Sequence, residues 1–171
     1  SKGHPVTAHP LDSLTAAEIA ETSAILAREK GIDAAWRYAS IILKEPPKAQ
    51  VKAWRAGDPI ARRSLSVLWK KESNEVYEAI VDLGAGELED WTHVPGVTPN
   101  FTIDEYHECD VALRRNPEVR AVLERRGVDP DLVLFDLWTY GREVMPAEWR
   151  DRRLGWVDLW ARATPDGNPY A

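Results

Sequence analysis

A proline- and glycine-rich stretch in the middle of the chain constrains the fold more than any other feature of the sequence. Val94–Asn100 holds two prolines and a glycine in seven residues. Residues of these types disfavour both a helix and a central strand. On each side of this stretch, the sequence pattern predicts a helix first and strands afterwards. We therefore expect two small domains, residues 1–97 and residues 98–171.

The first half predicts one helix followed by an antiparallel sheet of four or five strands. Thr15 and Glu18 have the spacing of a capping box, which begins a helix, and Gly31 ends that helix. The two prolines in Glu45–Lys48 predict a turn after the first strand. Aromatic, β-branched and alternating residues predict the strands Trp36–Lys44, Gln50–Trp54, Arg62–Lys71, Val76–Asp82 and Glu87–Thr92.

One of these strands indicates how the sheet is covered. Leu65, Val67 and Trp69 alternate with smaller or polar residues and share one face. An antiparallel sheet of this kind has one apolar face, and the helix is the natural cover for it.

The second half repeats the helix-then-strand order. Thr102 and Glu105 form another capping box, and Asn116 is placed to cap a short helix that Gly127 ends. The polar segment Arg142–Arg153 indicates a loop. The expected strands are Val133–Tyr140 and Leu154–Ala163. Two such halves predict the α+β class and suggest an internal repeat of the fold.

Composition excludes several classes of protein. A hydrophobic fraction of 44% supports a packed core, which excludes a fully disordered chain. Apolar runs are only a few residues long, as in Ile41–Leu43, so we expect no membrane-spanning helix. A net charge of −6 argues against a nucleic-acid surface. No signal peptide is visible, and the single cysteine leaves the compartment open while favouring the cytoplasm.

The histidines and the cysteine form no recognisable metal or nucleophile motif. Cys109 lies between Glu108 and Asp110, and acidic neighbours raise the pKa of a thiol, which makes it a poor nucleophile. His107 with Asp104 or Asp110 is the best local dyad, so a hydrolase built on it stays a hypothesis beside a solvated helix face. Metal-ligand spacing is lacking among the four histidines, which are His4, His9, His93 and His107.

Tryptophan is unusually frequent, with eight residues in the chain. Trp36 and Trp69 fit strand interiors and predict core positions. Trp156 and Trp160 are four residues apart on an expected strand, so they share a face with Asp158 between them. Aromatic residues beyond the needs of a core line ligand channels or interfaces, and the alternative for most of them is ordinary packing.

Four segments, in order along the chain, resemble one known family. His9–Ile19 is similar to the family's His-Pro-Leu-Asp-x-Leu-Thr-x-x-Glu-Ile, and Leu43–Lys48 resembles its Leu-x-Glu-Pro-Pro-Lys. Asp136–Trp138 stands where the family often has Asp-Pro-Trp, and Asn168–Ala171 resembles its Asn-Pro-Tyr-Ala. The family is that of the copper amine oxidases, the topaquinone-dependent primary-amine oxidases.

The resemblance implies a pair of cystatin-like domains, N2-like over 1–97 and N3-like over 98–171, each with a helix on a coiled antiparallel sheet. It also implies a homodimeric parent that oxidises a primary amine to an aldehyde, releasing ammonia and hydrogen peroxide. Copper and topaquinone belong to the family's catalytic domain, and the quinone forms in an Asn-Tyr motif that this chain lacks. We therefore expect no catalytic residue, metal or cofactor here, and we expect the catalytic domain of the same polypeptide as partner.

By position, the resemblance implies that Tyr106, Leu137, Trp138 and Tyr170 are substrate-channel residues, with Leu137 in place of the family's frequent proline. Aromatic walls suit aryl-alkyl amines such as phenylethylamine, tyramine or histamine through stacking and cation–π contact. The alternative function is a free-standing cystatin-like binding or dimerisation module without enzymatic activity.

Overall fold

The structure is a computed structural model that describes residues 9–171. Its contacts divide the chain into two compact units, Ser1–Val97 and Thr98–Ala171. Each unit combines helices with antiparallel strands, which confirms the predicted α+β class. The longest helix has only 15 residues, and no helix in the described part of the chain is long and apolar enough to cross a bilayer.

The first unit begins with the predicted helix α1, Ala16–Lys30. Both halves of the capping box are formed, because Thr15 Oγ1 accepts from the Glu18 amide at 3.2 Å and a Glu18 carboxylate oxygen accepts from the Thr15 amide at 2.7 Å. Gly31 ends the helix with a φ of 63°, a left-handed conformation that glycine adopts without steric cost. Local sequence signals therefore fix both ends of α1.

Four antiparallel strands in the order β1-β2-β3-β4 form the first sheet. All four were predicted within one or two residues of their ends. Their bounds are β1 Trp36–Leu43, β2 Arg63–Lys70, β3 Val76–Asp82 and β4 Glu87–His93. The core under α1 contains Ile25, Leu26, Leu68, Ala79 and Val81.

The prediction of which face α1 covers was wrong. The helix packs on the face of β2 that carries Ser64, Ser66 and Leu68, and not on the face of Leu65 and Val67. Ser64 and Ser66 are fully buried, and Thr22 Oγ1 lies in hydrogen-bond distance of Ser64 Oγ at 2.8 Å. The hydroxyl pair satisfies polar groups that burial would otherwise leave costly. Apolar side chains of β3 supply the hydrophobic contacts with α1 that the two serines of β2 do not make.

The expected strand Gln50–Trp54 was also wrong, because these residues lie in and directly after a short helix. Helix α2 spans Lys48–Ala53, with Pro47 at its N-cap. Alanine, lysine and glutamine are good helix formers, and a proline at the start of a helix loses no backbone hydrogen bond. The predicted turn at the two prolines is thus followed by a helical turn.

The second unit packs two helices on a two-stranded hairpin. Helices α3, Ile103–Arg115, and α4, Pro117–Arg125, begin at the predicted caps Thr102 and Asn116. The polar segment after the first strand contains two short 3-10 turns. The strands are β5, Val133–Thr139, and β6, Gly155–Ala161. Leu123, Val133 and Phe135 form the core, with Leu113 and Val157 packed against them.

An arginine clamp closes the start of the main helix in each unit. Arg62 donates to both carboxylate oxygens of Glu18, at 2.7 and 3.0 Å, and to the carbonyls of Asp12 and Ser13.

In the second unit, Arg153 donates to both carboxylate oxygens of Glu105, at 2.6 and 3.1 Å, and to the carbonyls of Pro99 and Asn100. In both units, the two carbonyls precede the glutamate by six and five residues. This shared geometry supports the suggested internal repeat of the fold.

Candidate functional site

The outer face of the β5–β6 hairpin carries the densest group of exposed aromatic side chains in the described part of the second unit. Alternation along each strand places Phe135 and Val157 on the side of α3 and α4. The residues between them therefore point to the other side, where no helix of the unit packs. We call this surface the aromatic face; it consists of Leu134, Asp136, Trp138 and Tyr140 from β5 and its end, Trp156, Asp158 and Trp160 from β6, and Tyr170.

The hairpin register arranges this face in rows. Trp138 lies opposite Trp156, and Asp136 lies opposite Asp158. Leu134 completes the next row with Trp160. The two aspartates therefore lie between two rows. One row is the Trp138–Trp156 pair, and the other contains Trp160.

Ring contacts hold the aromatic side chains in place. The Trp138 and Trp156 rings lie nearly parallel, with centroids 6.5 Å apart, and Tyr140 packs edge-on against Trp156 at 5.7 Å. Tyr170 packs against Trp160 with a centroid distance of 5.3 Å. Trp138, Trp156 and Trp160 nevertheless keep 40–49% of their surface exposed, so the rings contact one another and remain open to solvent.

Tyr170, near the end of the described chain, contacts one of the two aspartates of the aromatic face. Its hydroxyl donates to Asp136 Oδ2 at 3.3 Å. Partial desolvation and the neighbouring Asp136 carboxylate raise the pKa of Tyr170, while the charge of Arg162 acts in the opposite direction. The phenol therefore stays protonated and serves as a donor to Asp136.

The four residues expected to line a channel have different surroundings. Trp138 and Tyr170 both belong to the aromatic face and are 49% and 59% exposed. Tyr106 lies on α3, which packs on the other face of the hairpin, and is 43% exposed. Leu137 is only 6% exposed and points toward the helices. The structure thus brings together two of the four.

Sequence reasoning did not assign the partners that complete the aromatic face. Trp156, Asp158 and Trp160 were expected to share one face of a strand, and they do. Their position opposite Trp138 and Asp136 follows from the hairpin register, which the intervening loop does not reveal in sequence.

The remaining chemical candidates do not gather into a site. His107 is an exposed residue of α3, and burial together with the charge of Asp110 raises the pKa of the Cys109 thiol, as predicted. His9 packs edge-on against Trp54 at 5.1 Å, while His4 lies outside the described residues. Among residues 9–171, no group of three or more histidine, cysteine, aspartate or glutamate side chains is placed to hold a metal ion.

Comparison with known proteins assigns the chain to a family. A family model described as the AGAO-like N2 domain matches residues 15–91. A primary amine oxidase of Arthrobacter sp. (strain P1) is 37% identical over 165 residues, which cover 95% of this chain and 25% of that protein. The chain belongs to the copper amine oxidase family. It corresponds to the N-terminal part of these oxidases.

Two further proteins are similar to this chain. A histamine oxidase of Arthrobacter globiformis is 29% identical over 133 residues, covering 74% of this chain and 19% of that protein. The crystal structure of a copper-containing benzylamine oxidase from Hansenula polymorpha has the same fold, with a TM-score of 0.72 at 22% identity over 95% of this chain and 26% of that one. The chain spans about a quarter of the length of the curated relatives that match most of it.

Proposed function

We propose that the chain is a non-catalytic part of a copper- and topaquinone-dependent primary-amine oxidase, and that its second unit helps to line the entrance used by the amine. The parent would oxidise a primary amine to an aldehyde with release of ammonia and hydrogen peroxide. The observation that carries this proposal is the 37% identity to a protein named a primary amine oxidase, which extends over 95% of the chain.

The chemistry of the chain supports a role without catalysis. No Asn-Tyr dipeptide occurs in it, and no group of metal-ligating side chains is gathered among residues 9–171. These residues do not fit copper or topaquinone, so we assign no step of the oxidation to them. The catalytic domain of the same polypeptide, in a homodimeric parent, is the partner that we propose. A cytoplasmic location stays a prediction.

The aromatic face supports the entrance role. Exposed indole and phenol rings bind apolar and cationic groups together, because ring faces attract cations and the rings themselves bury apolar area. Trp138 and Tyr170 are the two proposed channel residues with this exposure on the aromatic face. We propose aryl-alkyl primary amines as the substrate class, since their ring and ammonium match both properties of the face.

Steady-state kinetics of the full-length oxidase test this proposal. Trp138→Ala and Tyr170→Ala should each raise KM for phenylethylamine several-fold while kcat stays within twofold, because removal of a wall residue weakens binding and leaves the chemistry intact. Methylamine, which has no ring to stack, should show little change. Trp149→Ala is the matched control, since Trp149 is a similarly exposed tryptophan outside the aromatic face. Unchanged KM values for phenylethylamine in both variants, or an equal loss of kcat with both amines, would refute the entrance role.

A further inference from the structure

The free edge of β6 is the least protected sheet edge in the described part of the chain. The amide of Arg162 donates to the carbonyl of Leu132, so the even-numbered residues of β6 bond to β5 and the odd-numbered ones point away from it. The amides and carbonyls of Val157, Leu159 and Ala161 therefore face outward. Unpaired backbone groups of this kind are a template for pairing with another strand.

The other three sheet edges each have a feature that limits such pairing. Edge strand β1 is interrupted by a bulge between Tyr38 and Ser40. Edge strand β4 carries three acidic residues among its seven. On β5, the carbonyl of Val133 accepts from Arg114 Nη2 at 2.7 Å. Bulges and charged side chains discourage association between edges, and the outward positions of β6 hold only glycine, valine, leucine and alanine.

Side chains of β6 are exposed on both faces of the hairpin. Trp156 and Trp160 are 45% and 40% exposed on the aromatic face, and Leu159 is 49% exposed on the side of the helices. Helix α3 packs against β5, which leaves room beside β6 on the helix side. A strand added at this edge would remove apolar surface from water on both faces.

The first unit contains a corresponding strand that is paired at both edges. Strand β2 begins directly after its clamp arginine, Arg62, and β6 begins shortly after Arg153. By this correspondence, β5 and β6 match β1 and β2. Strand β2 has a further antiparallel neighbour, β3, whereas β6 has none within residues 9–171. The free edge of β6 is thus the place where the related sheet continues.

The sequence of β6 is complementary to itself in one antiparallel register. Two copies related by a twofold axis at Leu159 use the outward groups of both strands and bring the two leucines together. In this register, Trp156 lies opposite Arg162 of the second copy, where ring and guanidinium attract each other. Asp158 lies opposite Trp160 of the second copy and diagonally beside its Arg162. The twofold symmetry therefore gives two pairs of opposite charge.

We propose that two copies of this chain associate through their β6 edges about an axis at Leu159, forming one antiparallel sheet in the order β5-β6-β6-β5. The two aromatic faces then form one continuous surface. A second copy is the occupant that the charges favour, because it supplies a cation against both Trp156 and Asp158. The inference goes beyond the proposed function and does not depend on the entrance role, since it concerns a backbone edge and no amine.

Sedimentation equilibrium of the 171-residue chain tests this pairing. The average mass should rise toward that of two chains with a dissociation constant on the order of 100 µM, because an edge-to-edge interface is small. Hydrogen exchange followed by NMR should show protection of the Val157, Leu159 and Ala161 amides only at concentrations where the dimer forms. The Asp158 and Trp160 amides, which bond to β5, should be protected at every concentration.

A substitution at the proposed axis tests its position. Leu159→Lys should weaken dimerisation at least about tenfold, since it sets two ammonium groups against each other. Ile42→Lys is the matched control, because Ile42 is 53% exposed on the bulged edge strand β1. This control should leave the dissociation constant unchanged.

An exchange of charges tests the pairing of Asp158 with Arg162. Asp158→Arg and Arg162→Asp should each weaken dimerisation about fivefold, because each turns two pairs of opposite charge into pairs of like charge. The double variant should recover most of the lost affinity, since opposite charges again lie diagonally across the axis.

Several outcomes would overturn the inference. One is a chain that stays monomeric up to about 1 mM, and another is an equal dissociation constant for Leu159→Lys and Ile42→Lys. A double charge variant that dimerises no better than the single variants would exclude the register centred on Leu159. Protection of the outward β6 amides in a monomeric chain would mean that a segment of the same chain occupies the edge.

Discussion

Neutralising the capping glutamate of α1 should cost the first unit about 3 kcal/mol at neutral pH. Hydrogen bonds from Arg62 hold the pKa of Glu18 at about 2, against an ordinary value of 4.5. At about 1.4 kcal/mol per pKa unit, this difference corresponds to roughly 3 kcal/mol of stabilisation by the ionised form. The pair is largely buried, with side-chain exposures of 10% for Arg62 and 17% for Glu18, so water screens it little.

The substitution Glu18→Gln isolates the charge. Glutamine still accepts from the Thr15 amide at this position of a capping box, so the helix start is preserved. Because the folded-state pKa of Glu18 is lowered, its contribution is fully present above about pH 4.5 and is lost as the pH falls through about 2. The difference in unfolding free energy between parent and variant should therefore shrink across this window.

Urea denaturation of chains labelled with 5-fluorotryptophan measures this difference unit by unit. The fluorine signal of Trp69 reports on the first unit, while that of Trp156 reports on the second and should not change. Glu89→Gln is the control, because the pair that Glu89 forms with Arg63 is exposed, and it should cost less than about 1 kcal/mol. A penalty for Glu18→Gln below about 1 kcal/mol at pH 7, or one that stays constant down to pH 2, would refute the reasoning.

Three other substitutions, one of them with a matched control, give clear expectations in the same assay. Glu105→Gln should destabilise the second unit, and the penalty should fade in acid, because the lowered pKa of Glu105 means that the ionised form is the stabilising one. Gly155→Ala should cost more than about 2 kcal/mol, since its Cβ would clash with the carbonyl oxygen of Trp138, whereas Gly141→Ala should stay within about 1 kcal/mol. Leu26→Ala, at a fully buried site, should cost about 2–5 kcal/mol in the first unit. Similar midpoints for the Gly155→Ala and Gly141→Ala variants would contradict the close-contact argument.

Local signals explain why most elements could be predicted from the sequence. Thr15 with Glu18 and Thr102 with Glu105 are three residues apart, and each pair fixes a helix start through bonds formed within one turn. The β-strand alternation in Val76–Asp82 likewise needs no knowledge of the rest of the chain. The wrong strand prediction at residues 50–54 also comes from reliance on local patterns. A six-residue helix after a proline gives a pattern that is too short to distinguish from a strand.

Long-range pairings could not be predicted in the same way. The face of β2 that α1 covers contains two buried serines, and the contact with Thr22 satisfies the hydroxyl of Ser64, whereas the hydroxyl of Ser66 has no hydrogen-bond partner among residues 9–171. Only the β6 part of the aromatic face could be predicted, because Trp156 and Trp160 share a strand. The position of Asp136 opposite Asp158 follows from the hairpin register. Such pairings depend on where two distant segments meet, and a single sequence carries no signal for that.

The arginine clamps have a consequence for the order in which the polypeptide is completed during translation. Each clamp joins a glutamate in the first turn of a helix to an arginine that follows 44 residues later in the first unit and 48 residues later in the second. A nascent chain therefore exports α1 or α3 well before the guanidinium that secures it. Before Arg62 or Arg153 has left the ribosome, the capping threonine of each helix is in place. The hydrogen bonds from the arginine to the carbonyls that precede the helix are still missing. Each unit should thus reach its final rigidity only after its clamp arginine has left the exit tunnel.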